Sequence, residues 1–206
     1  MADPKEAKRR ATYQDVLNAP EHMVAEILDG ELFLSPRPGK PHCSVYTTLV
    51  GDLEPPFGRG RGGPGGWIIL GEPELHLGDD VCVPDIAGWR RDRMPRLDDD
   101  QAYFETPPDW VCEVLSKSTE RNDRLKKLRI YARAGVVNAW LVSPRMRSLE
   151  VFRLIDGRLV TVATHLDDEK VHAEPFDAIE IELASLWRDF KPPIHAAEGA
   201  ADYDYL

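Results

Sequence analysis

Val81-Cys82-Val83-Pro84-Asp85-Ile86-Ala87, Asp109-Trp110-Val111-Cys112-Glu113-Val114-Leu115-Ser116 and the segment from Arg121 to Tyr131 decide how this chain is read. The first two are strand-like runs, each with one carboxylate among apolar neighbours. The third is a helix rich in Lys and Arg. An acid inside an apolar strand is costly to bury unless it is paired, protonated or bound to a cation. Two such acids on neighbouring strands, with a lysine nearby, make a site for Mg²⁺ and a phosphate.

Outward from that stretch, the pattern gives alternating strands and helices. A capping box at Thr12-Tyr13-Gln14-Asp15 predicts a short helix that ends before Pro20. Met23–Leu28 and Glu31–Leu34 flank Asp29-Gly30, the strongest short hairpin signal, and Asp156-Gly157 repeats it between Leu149–Leu154 and Leu159–Ala163. Val45, Leu49, Val50 and Leu53 have helical spacing, and Pro55-Pro56 is expected to stop that helix. Strands are predicted at Trp67–Leu70, Pro73–Leu77, Val81–Trp89, Trp110–Leu115 and Asn138–Val142, and Ile179–Leu183 reads as a last strand or a strand-to-helix transition leading to Leu186-Trp187. The basic helix opens at Asn122, ends at Gly135, and is expected to bury Leu125, Leu128 and Ala132. Gly58–Gly66 reads as a flexible loop, since no GKS or GKT follows it. Asp98-Asp99-Asp100 reads as a solvated surface run.

The 206 residues suit one domain, read as residues 12–190 between a disordered lead-in (1–11) and a disordered acidic tail (191–206). A formal net charge of −10 argues against nonspecific coating of nucleic acid, yet Lys117, Arg121, Arg124, Lys126, Lys127, Arg129 and Arg133 concentrate positive charge in one segment. Cys43, Cys82 and Cys112 form no CxxC pair, which fits a reducing cytoplasm and not a disulfide framework or a structural zinc site. Cys82, Cys112 and Trp140 read as core residues. With no apolar run of spanning length and no signal-peptide core in Met1–Ala11, the expectation is a cytoplasmic protein with no membrane partner.

The ordered set of residues is more specific than any one of them. It runs Glu26-x4-Glu31, His42, Pro84-Asp85, Glu113-Val114-Leu115-Ser116-x-Ser118-Thr119, Asp123-x3-Lys127-x3-Tyr131-x3-Gly135-Val136 and Ala139-Trp140-Leu141-Val142. Over residues 12 to 190 this resembles the restriction-endonuclease-like family expanded in cyanobacteria, a branch of the PD-(D/E)XK nuclease superfamily. The resemblance implies an α/β (α+β) fold with a central mixed, mainly antiparallel sheet flanked by helices. It also implies an endonuclease that hydrolyses phosphodiesters, DNA as substrate, Mg²⁺ or Mn²⁺ as cofactor, and a homodimer.

Carried over residue by residue, Asp85 and Glu113 are the metal-binding acids, and the Val114 carbonyl is the natural third ligand. The superfamily lysine two residues after the acid is Leu115 here, so the role passes to Lys127 on the following helix, with Lys117 as rival. Glu31, preferred over Glu26, would help hold a metal or position a base. His42 would contact phosphate or transfer a proton. Tyr131 reads as a packing residue with its hydroxyl paired. The reading from another class is a non-catalytic descendant that binds nucleic acid or a protein.

Overall fold

Asp29 (φ 54°) and Gly30 (φ 81°) close one hairpin and Asp156 (φ 48°) and Gly157 (φ 74°) another, with the two positive φ values that a two-residue turn between twisted strands requires. The structure, a computed structural model, describes residues 9–94, 96–97 and 100–190. In chain order its elements are α1 (Tyr13–Leu17), β1 (Met23–Leu28), β2 (Glu31–Pro36), α2 (Lys40–Leu53), β3 (Trp67–Gly71), β4 (Leu75–Leu77), β5 (Asp80–Cys82), β6 (Ile86–Arg90) and β7 (Trp110–Val114). Then come α3 (Glu120–Asn122), a π-helical turn (Asp123–Lys127) and α4 (Leu128–Ala134), which together form one helix over 120–134. The chain continues with β8 (Asn138–Ser143), β9 (Ser148–Ile155), β10 (Arg158–Leu166), β11 (Lys170–Val171), β12 (Ile181–Glu182) and α5 (Ala184–Trp187).

A six-stranded sheet runs β10-β9-β8-β7-β6-β3, and a four-stranded sheet runs β2-β1-β5-β4. Among the described pairings of these strands only β7 with β8 is parallel. A parallel pair needs a crossover, and the 120–134 helix supplies it. The sheet is therefore mixed and mainly antiparallel, with helices on its faces. Residues alternate across β7: Trp110, Cys112 and Val114 join a core with Val45 and Leu49 of α2 and Trp187 of α5, while Val111 joins a second core with Ile130 and Tyr131 of α4. By the same period of two, Glu113 points to the helix side. Cys82, Cys112 and Trp140 are buried in these cores.

The structure departs from the sequence reading at three places in the fold. Pro55-Pro56 ends the α-helix at Leu53 as expected, but it does not end the helical path. The chain goes on into a π-helical turn, Glu54–Gly58, closed by Arg59 N–H to Glu54 O at 3.0 Å. That wider turn has room for the rings and its closing bond uses no proline N–H. Val81–Trp89 is two strands, not one: β5 belongs to the small sheet and β6 to the large one, with the break at Val83-Pro84-Asp85. Proline has no N–H for a ladder, so the chain changes sheets there.

The third departure is at the lead-in, where residues 9–11 lie against the first hairpin, with Ala11 N–H bonded to Gly30 O at 2.8 Å. Residues 1–8, the tail from 191 onward, and Asp98 and Asp99 lie outside the described residues. Among the described residues no helix is long and apolar enough to cross a membrane.

Candidate active site

The break at Pro84 builds the site. Val83, released from the ladder, has an N–H and a carbonyl to satisfy. Glu26 Oε1 accepts the N–H at 2.8 Å, and Lys127 Nζ donates to the carbonyl at 3.1 Å. Asp85 comes next, one position beyond the last β6–β7 pair, Ile86 with Cys112, which sets it beside Glu113. Its Oδ2 accepts the Val114 N–H at 2.6 Å, and its Oδ1 lies 2.9 Å from His42 Nε2 near the start of α2. His42 Nδ1 is buried without a hydrogen-bond partner among the described residues.

Lys127 is 3% exposed and reaches three acceptors with its three N–H groups: Glu113 Oε1 at 2.8 Å, Glu26 Oε1 at 3.0 Å and the Val83 carbonyl. Asp123 Oδ1 is 3.8 Å away. Tyr131 Oη donates to the same Glu113 Oε1 at 2.5 Å, which leaves Oε2 as the oxygen able to coordinate. Asp123, Lys127 and Tyr131 thus form the inward face of the 120–134 helix, starting in its π-helical turn.

This reverses the face expected from apolar spacing. Leu125 is 54% exposed, and Leu128 and Ala132 are only half-buried. The carboxylates on β1 and β7 need a cation. Seating Lys127 among them outweighs burial of one leucine.

Electrostatics follow from burial. Burial pushes the Glu113 carboxyl well above its usual range, against the pull of Lys127. It also raises Asp123 to about 6. Burial alone would lower the Lys127 ammonium, but Glu113, Glu26, Asp123 and Asp85 override it and hold the ammonium well above its ordinary value. Burial and Glu113 likewise raise the Tyr131 phenol.

Glu26, Asp85, Glu113, Asp123, His42 and Lys127 line a cavity of about 220 Å³. Ser116 Oγ lies 3.0 Å from both Ser118 Oγ and Thr119 Oγ1 in the cavity wall. Glu72 and Arg37 line the cavity as well, so five carboxylates face one ammonium and one guanidinium, and hard oxygen donors with surplus negative charge suit a divalent cation. The fit lies in the donor chemistry, since among the described residues no three His, Cys, Asp or Glu side chains stand in a ready metal-ion arrangement.

The residues singled out in the sequence therefore divide. Asp85, Glu113, His42 and Lys127 come together in one cavity. At Val114 the group in contact is the N–H, bonded to Asp85. Glu31 is exposed, 3.6 Å from Lys126, and does not line the cavity. Glu26, the other acid of this hairpin, paired with Phe33, does. Lys117 lies in an exposed turn beyond the end of β7, so the strand parity it needed is absent. The sequence places Glu26 inside the apolar run Met23-Val24-Ala25-Glu26-Ile27-Leu28, but Glu31 heads a similar run, Glu31-Leu32-Phe33-Leu34, so the pattern does not choose between them.

Residues 11–184 match the model of the Uma2 family, described as "putative restriction endonuclease". The chain belongs to the Uma2 family. The match covers every residue of the cavity. A crystal structure of a "putative nuclease belonging to DUF820" from Anabaena variabilis ATCC 29413 superposes with a TM-score of 0.71 at 22% identity, covering 86% of this chain and 98% of that one. The Uma2-family chain thus shares the restriction-endonuclease-like fold of that protein. No curated protein matches it.

Proposed function

We propose that this Uma2-family chain is a metal-dependent endonuclease that hydrolyses phosphodiester bonds in DNA. The observation that carries the reading is the Lys127 ammonium 2.8 Å from Glu113 in the cavity that Asp85 also lines. Asp85 and Glu113 Oε2 would hold Mg²⁺ or Mn²⁺, together with the Val114 carbonyl. A bound ion of this kind lowers the pKa of a coordinated water and offsets charge developing on the phosphate.

The chain's own groups do the rest. His42 and the Val114 N–H fix the Asp85 carboxylate from two directions. Glu26 holds Lys127 and the broken strand with one oxygen. Lys127 has no N–H to spare, so donating to an attacking water or to the phosphate means releasing the Val83 carbonyl or Glu26. In that posture it orients the water and stabilises the transition-state charge.

The test is cleavage of supercoiled and linear DNA with Mg²⁺ or Mn²⁺, with EDTA as control, for wild type, Asp85→Ala and Lys127→Ala. Metal-dependent cutting lost in both variants supports the reading. A wild type that neither cuts nor binds Mn²⁺ by titration calorimetry rejects it and leaves the non-catalytic binding descendant.

A further inference from the structure

On the outer side of the 120–134 helix, away from Lys127, the helix and the β9–β10 turn enclose a groove of about 560 Å³. Arg124, Arg129 and Arg133 stand on the helix wall and Arg158 on the hairpin wall, with half-buried Leu128 and Leu159 between them. Among the described residues no carboxylate lines it, in a chain of formal net charge −10.

The four guanidiniums are not equally available. Arg124 is held by Glu150 at 3.0 and 2.5 Å and by Glu120 at 3.2 Å. Arg133 commits one nitrogen, Nη2, to Asp80 at 2.7 Å and Asp29 at 3.2 Å. Arg129 is 69% exposed and approaches an acid, Asp29, only at 4.0 Å. Arg158 is exposed and makes no ion pair among the described residues. Available cations therefore stand on both walls of an apolar floor.

We propose that this groove binds a nucleic-acid strand outside the catalytic cavity, an inference that rests on the nuclease reading and extends it. Guanidinium is the side chain best matched to phosphate oxygens, because its planar fork donates two parallel bonds. The apolar floor accepts a sugar or a base face between those contacts, the combination that serves sequence-tolerant binding of single strands. An inorganic anion would have no use for the leucines.

The experiment measures fluorescence anisotropy of a labelled single-stranded oligonucleotide with wild type in EDTA, beside Arg129→Glu/Arg158→Glu and the milder Arg129→Ala/Arg158→Ala. Both positions are exposed, and circular dichroism melts of each variant serve as the folding control. Affinity should fall at least tenfold in the charge reversal and less in the alanine pair. The salt dependence of log K should flatten by about 1.4, the change that goes with two fewer phosphates neutralised on a single strand. Unchanged affinity and slope overturn the proposal, as does displacement of the strand by polyglutamate at equal charge concentration, which would mark an acidic-protein surface.

Hydrolysis of bis(p-nitrophenyl) phosphate with Mn²⁺ separates this result from the parent reading. That small diester needs only the cavity, so the groove variants should hydrolyse it as wild type does. Groove-dependent binding by a chain that neither hydrolyses the diester, nor cuts DNA, nor binds Mn²⁺ keeps the proposal and sinks the nuclease. Hydrolysis with groove-independent binding does the reverse.

Discussion

Lys127 Nζ and Glu113 Oε1 stand 2.8 Å apart, each 3% exposed at the side chain, and the fold around them is arranged so that neither is alone. Glu113 comes from the central strand β7 and Lys127 from the crossover helix that returns the chain to β8. The pair therefore ties together the two elements of the parallel βαβ unit. Burying two charges is repaid only when geometry is good and remaining donors are satisfied. Glu26, Val83 and Tyr131 meet that condition.

Removing the ammonium should be expensive. In Lys127→Met the carboxylates of Glu113 and Glu26 lose their counter-charge while still buried, and breaking a buried pair costs about 3–5 kcal/mol. Urea unfolding in EDTA should show that loss. Lys127→Met/Glu113→Gln should recover part of it, because the neutral amide no longer needs the cation. A double variant as weak as the sum of the singles would mean the pair is not coupled.

How far this is visible in the sequence depends on the physics involved. The Asp-Gly turns, the paired acids and the Asp123, Lys127, Tyr131 spacing are all legible, because turn chemistry and helical period are local. Apolar periodicity turns Leu125 inward, since it assumes that the core is greasy, and here the core side of the helix holds an acid cluster. The choice between Glu26 and Glu31 is not legible, because the turn between them erases strand parity. Only the pairing of β1 with β5, at Ile27 with Val81, brings Glu26 next to Val83. The sheet switch at Pro84 depends on tertiary partners as well, though the proline announces a weak point in the strand.

The choice between the two glutamates can be checked directly. Glu26→Ala leaves Lys127 and the Val83 N–H short of an acceptor and should cost roughly 3 kcal/mol, with loss of cleavage. Glu31→Ala removes an exposed pairing with Lys126 and should stay within about 1 kcal/mol, with cleavage retained. Equal effects on melting and on cutting would contradict this placement.

Tyr131→Phe removes the donor from Glu113 while keeping the ring in the core. A hydrogen bond to a charged group contributes about 1.5–3 kcal/mol, so melting should fall by that order. The carboxylate form of Glu113 also loses stabilisation, which moves its protonation to higher pH. The acidic limb of the pH–rate profile should shift upward, a result that simple loosening of the core would not give.

Asp123 makes stability depend on pH with a definite sign. Its carboxyl titrates near 6 in the fold, against an ordinary value of 3.8, because burial disfavours the charge. Between those values the folded state holds more protons than the unfolded one, so this group's contribution is complete below about 3.8 and is lost as pH rises through about 6. In EDTA, urea midpoints measured from about pH 4 to 7 should carry that falling component in wild type, and Asp123→Asn should lack it. An identical pH slope in the two proteins would assign the titration elsewhere.

Adding a divalent cation should oppose that trend. The ion would offset the surplus charge of Glu26, Asp85, Glu113 and Asp123 and bind only the folded chain, so it stabilises by mass action, about 2.7 kcal/mol at a hundredfold excess over Kd. Because carboxylates must be ionised to coordinate, the gain should be larger near pH 7 than near pH 5. Thermal melts with Mn²⁺ should rise accordingly in wild type and stay flat in Asp85→Ala, which keeps Lys127 and Glu113 but loses one of the proposed ligands. Lys127→Met separates two roles that cleavage alone confuses. If the ammonium is only a counter-ion, its removal tightens Mn²⁺ binding by deepening the negative well, whereas a lysine that also orders Glu113 for coordination weakens it. We expect tighter binding with cleavage lost, since the third N–H of Lys127 is directed at a backbone carbonyl that it can release. Weaker binding would instead make Lys127 the residue that shapes the metal site.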